Sequence, residues 1–83
     1  MTRFIFEEVT KTKSKGYYGV DEKITMDVIA QLEPAGLLKF PLKAIYDNGI
    51  INYDKAYVSN KLRNPSLSTL FRESLREWME LQQ

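Results

Sequence analysis

The chain has 83 residues, with 43% hydrophobic, 28% charged and 12% aromatic side chains, four glycines and three prolines. That is the composition of one small globular domain over residues 1–83, and it excludes disordered, collagen-like and low-complexity classes. Twelve basic residues against eleven acidic ones leave a formal charge of +1, which argues against a strongly basic protein that coats nucleic acid. The absence of cysteine and histidine removes disulfides, thiolate nucleophiles, imidazole bases and nearly all zinc sites.

The first eight residues form no signal peptide, because Glu7 and Glu8 interrupt the apolar run of Phe4, Ile5 and Phe6. No window reaches the roughly 20 apolar residues needed to cross a bilayer. A chain that starts with Met1 and carries no tag reads as a complete cytoplasmic protein with no membrane partner. A core of this size supplies about 3–5 kcal/mol of net stability. Efficient packing or a second copy of the chain is therefore expected.

In chain order, Phe4, Ile5, Phe6 and Val9 have strand propensity with blurred alternation, and a first strand is expected there, beside the strand that follows. Residues 11–20 read as a long loop with a short strand around Tyr17. From residue 24 to 32 every even position is apolar: Ile24, Met26, Val28, Ala30 and Leu32. The same rule returns with Leu38, Phe40, Leu42, Ala44 and Tyr46. Period two marks half-buried strands. Between them, Glu33, Pro34, Ala35 and Gly36 have the chemistry of a three-residue hairpin loop with a bulge.

With Glu33 opposite Leu37, Leu32 faces Leu38, Val28 faces Leu42 and Ile24 faces Tyr46, so all ten apolar residues share one side. A one-residue slip would oppose apolar to polar throughout. Asn48-Gly49 then predicts a type I′ turn, since both central residues need positive φ. Pairing Asp47 with Ile50 extends the apolar face through Tyr46–Ile51, Ala44–Tyr53 and Phe40–Tyr57. On the opposite face Lys43 falls between Asp27 and Asp54, a ladder of alternating charge. Lys55 fits badly, because it points into the apolar face. A strand frayed at its end is the first expectation there, and a turn or short helix from Lys55 the second.

From Asn64 the period changes. Pro65 and Ser66 supply helix-start chemistry, and Leu67, Leu70, Phe71, Leu75, Trp78 and Met79 follow at three- and four-residue spacing. Arg76 and Glu80 form a favourable i,i+4 pair. The expected fold is α+β: an antiparallel meander of three to four strands with one C-terminal amphipathic helix on one face.

Two groups of residues are candidates for function. In the expected register Ile29, Pro41 and Ala56 form one row on the outer side of the sheet, with Ile45 and Val58 nearby. A contiguous apolar patch on a solvent face often marks a contact surface, and scattered exposure, or cover by the amino-terminal segment or the loop of residues 11–20, explains it as well. Pro41 has no N–H to donate, so its strand is expected to have an unpaired or bulged side there. The second group is Lys11, Lys13, Lys15, Tyr17 and Tyr18, where spaced lysines meet phosphates and tyrosines offer stacking faces. Asp21 and Glu22 dilute that charge, and a solvated loop explains the run as well.

Catalysis has little to stand on. Adjacent carboxylates at Glu7–Glu8 and Asp21–Glu22 point to opposite faces of a strand, the serines have no activating base, and no phosphate loop or calcium-loop spacing occurs. No enzyme, cofactor or metal is expected. The leading expectation is a small non-enzymatic binding protein, an adaptor or inhibitor of a larger complex, with a protein partner or a second copy as homodimer. A module for single-stranded nucleic acid is the alternative.

Overall fold

The computed structural model describes residues 2–15, 22–34 and 38–82. Four strands, β1 (Arg3–Lys15), β2 (Glu22–Glu33), β3 (Lys39–Asp47) and β4 (Ile50–Asn52), are followed by two helices, α1 (Lys55–Leu62) and α2 (Pro65–Glu80). The strands form one antiparallel sheet in sequence order, an α+β meander. Both central registers are as the alternation requires: Ile24 pairs with Tyr46, Val28 with Leu42, and Tyr46 with Ile51. Leu32 N–H donates to the Leu38 carbonyl at 3.0 Å. At the β3–β4 turn Asn48 and Gly49 take φ of 51° and 82°. The Glu33–Pro34 peptide is cis, and the remainder of the expected loop, residues 35–37, lies outside the described residues.

The even-numbered side of β2 and β3 is the core. Ile24, Met26, Val28, Ala30, Phe40, Leu42 and Ala44 are buried against Phe71, Leu75 and Met79 of α2. Helix α2 begins where Asn64 Oδ1 accepts from the N–H groups of Ser66 and Leu67, with Pro65 in the first turn where its missing N–H costs nothing. Phe71 is the hub, its ring 5.2 Å from that of Phe4, 5.7 Å from Phe6, 5.9 Å from Phe40 and 5.5 Å from Tyr53. The expected Arg76–Glu80 pair forms at 4.0 Å.

Two expectations are corrected. First, β4 stops at Asn52, and Lys55 starts a helix rather than a frayed strand end. Asp54 caps it by accepting from Tyr57 N–H at 3.0 Å. The helix resolves the inward charge, since Lys55 is exposed. It also removes Ala44–Tyr53 and Phe40–Tyr57 from the ladder, although Tyr57 still reaches Phe40 from the helix, edge to face at 6.0 Å. Asp54 leaves the outer charge ladder, while Asp27 stays opposite Lys43 and also accepts from the Thr10 hydroxyl at 2.7 Å.

Second, residues 11–15 are strand, not loop. Pairing shifts between Glu8 and Thr10, leaving Val9 as the extra residue of a β-bulge. Before the bulge the even residues Phe4 and Phe6 face the helices. After it the odd residues do, so Lys11 lies opposite Met26 and Lys13 opposite Ile24. The phase change explains the blurred alternation.

Candidate protein-contact surface

Both helices pack on the same side of the sheet, and among the described residues no element covers the other side. This outer face carries the odd residues of β2 and β3, with Ile5 and Glu7 of β1 before the bulge and Thr10 and Thr12 after it. Ile29 and Pro41 are direct partners in the register. With Val9, Asp27, Val28 and Leu42 they line a shallow hollow. Val9 is 56% exposed and Ile5 40% exposed, and Ile5 sits diagonally across from Ile29. Ile45 is half-buried further along β3. Charged neighbours Glu7, Asp27, Lys39 and Lys43 surround these side chains.

Ile29, Pro41 and Ile45 therefore share the outer face as the register requires. Ala56 and Val58 do not. Ala56 is exposed on α1, and Val58 is 2% exposed within the core, because the chain turns into a helix before reaching the row expected for them. Sequence reasoning missed Ile5 and Val9, which the bulge and the β1–β2 pairing bring to this face. Their signal was the apolar content of the first strand, hidden by the phase change.

Pro41 occupies the position its chemistry demands. Because Leu32 N–H donates to the Leu38 carbonyl across the β2–β3 ladder, the even residues of β3 point their backbone polar groups at β2 and the odd ones point theirs away from it. Asn52, the last residue of β4, pairs with Ile45, so Pro41 lies beyond β4 on an open edge where no ladder bond needs its N–H.

The second candidate group is only partly described. Lys11, Lys13 and Lys15 stand in a row on the helix side of edge strand β1, whereas Tyr17 and Tyr18 lie outside the described residues. Lys11 is half-buried, and its Nζ donates to the Gln82 carbonyl at 2.9 Å, just past the C-terminus of α2. That end of a helix carries partial negative charge. Lysines along an edge strand also oppose pairing with another chain.

Among the described residues, no group of three or more carboxylates, histidines or cysteines is placed to hold a metal ion, and no helix is long and apolar enough to cross a membrane. Compared with family models, curated proteins and solved structures, the chain matches none of them.

Proposed function

We propose that this is a small non-enzymatic cytoplasmic protein that works by protein–protein contact, as an adaptor or inhibitor of a larger complex. The observation that carries the reading is the bare outer face of the sheet, where Ile5, Val9, Ile29, Pro41 and Ile45 stand within a rim of mixed charge. Apolar centres with polar rims are the usual anatomy of a protein interface. A partner of standard size covers about 800 Å² per side, about a seventh of the 5746 Å² surface. The rigid ladder beneath keeps the ordering cost of binding low.

The test is capture of partners from the native host with the wild-type chain and with Ile29→Glu or Ile45→Glu. Each variant keeps its melting profile and loses the partner, or loses the dimer if the partner is a second copy. Retention of the same partners by folded variants would exclude this face. The nucleic-acid reading takes second place, because Lys11 is engaged by the Gln82 carbonyl. Nuclease treatment before capture separates the two, since only a nucleic-acid bridge is cut.

A further inference from the structure

We propose that the groove along α2, bordered by β4 and the start of α1, is a binding site for a phosphate-bearing small ligand, held by Lys55, Arg72 and Arg76 around Tyr53. The groove lies on the helix side of the sheet and does not depend on the outer face described above.

Two adjoining hollows share Tyr53, Lys55 and Arg72. One continues to Ile51 and Arg76, the other to Ser68. Local sequence explains the convergence. Ser68, Arg72 and Arg76 are spaced four apart on α2 and so form one row along the helix. The corner after Asn52 places Tyr53 beside that row and starts α1 with Lys55. No carboxylate lines either hollow. Of the carboxylates adjacent in sequence to these cations, Asp54 points its Oδ1 at the Tyr57 N–H, and Glu73 and Glu77 line neither hollow.

The cations are unevenly committed. Arg76 donates to the Gly49 carbonyl at 3.1 Å and lies 4.0 Å from Glu80. Lys55 and Arg72 make no hydrogen bond or ion pair among the described residues. Arg72 and Arg76 are like charges at i,i+4, a spacing that works mildly against the helix. The Tyr53 ring meets that of Phe71 at 5.5 Å, and Tyr53 and Arg72 line both hollows together; burial raises the Tyr53 pKa while the charge of Arg72 pulls the other way.

A guanidinium and an ammonium together match a phosphate group better than a single carboxylate, because phosphate offers three oxygens and up to two charges. The Ser68 hydroxyl is a further donor, and the apolar floor of Tyr53 and Ile51 suits an organic body attached to the phosphate.

The experiment is an NMR titration of isotope-labelled full-length protein with inorganic phosphate and with phenyl phosphate, against sodium acetate at equal ionic strength. Saturable shifts centred on Tyr53, Lys55 and Arg72 are expected with both phosphates and not with acetate. Arg72→Gln weakens binding by at least about tenfold, the loss of a charge-assisted hydrogen-bonding pair. Lys55→Gln also weakens it, while Lys43→Gln on the outer face leaves it unchanged. All three positions are exposed, and unchanged melting confirms that the variants fold. Shifts that never saturate, that acetate reproduces, or that persist in folded Arg72→Gln and Lys55→Gln would overturn the proposal.

Discussion

The hydroxyl of Tyr57 donates to the carbonyl of Pro41 at 2.7 Å, so a helix residue occupies an acceptor on the open edge of β3. Pro41 itself offers no donor there, and Lys39 and Lys43 flank it on the same strand. Proline and lysine together are a recognised defence of a sheet edge against pairing with another chain. Pro41→Val should restore an edge N–H without breaking a ladder bond. The variant is expected to fold and to self-associate more strongly with concentration, as read by sedimentation velocity. Unchanged sedimentation would show that the edge is guarded by other means.

Phe71 is fully buried and touches four aromatic rings. Phe71→Ala should cost about 3–5 kcal/mol, comparable with the whole stability expected of so small a core. A largely unfolded chain is the expected outcome in circular dichroism. Phe71→Leu, which keeps most of the volume, should fold with a lowered melting temperature.

Gly49 isolates backbone strain from packing. Its φ is +82°, and a Cβ built there meets nothing within 4 Å. Gly49→Ala should therefore destabilise by about 1 kcal/mol through backbone conformation alone. Gly49→Asn should lose less, since asparagine tolerates the left-handed region. Equal losses in chemical denaturation would point to a different cause.

The row of Lys11, Lys13 and Lys15 makes a prediction about solubility. Replacing all three with threonine keeps strand propensity and removes the charges that oppose pairing along β1. Light scattering should rise with concentration in this variant. Lys11→Met alone should lower stability by about 0.3–1 kcal/mol, the value of a cation at a helix C-terminus, by removing its bond to Gln82.

Burial raises the pKa of Tyr53 above its ordinary value of 10.0, and Arg72 offsets part of that rise. The folded state thus holds the phenolic proton more tightly than the unfolded chain does. Its contribution to stability is fully present below the unfolded-state pKa and is lost as pH rises through the folded-state value. Denaturation midpoints should fall on that alkaline limb, and the fall should be shallower in Tyr53→Phe. Identical limbs in the two proteins would exclude a role for this residue.

The two central hairpins were legible in the chain because their information is local. Alternating apolar residues set the faces of β2 and β3, and Asn48-Gly49 set the β3–β4 register within four residues. Helix α2 was equally plain, since Asn64, Pro65 and a periodic apolar stripe lie on one continuous segment. Pro41 even announced an unpaired edge. What the chain did not reveal was decided between distant segments. Two strand pairings competed with a helix at Lys55, and the helix won by capping on Asp54 and burying Val58 and Leu62. The lysines of residues 11–15 look like a solvated loop until β2 is there to pair with them. Likewise the bulge at Val9, the outer patch it completes, and the meeting of Lys55 with Arg72 exist only after packing. Turn chemistry and side-chain period act over a few neighbouring residues, whereas the faces that remain open to solvent depend on which distant segments have already claimed the others.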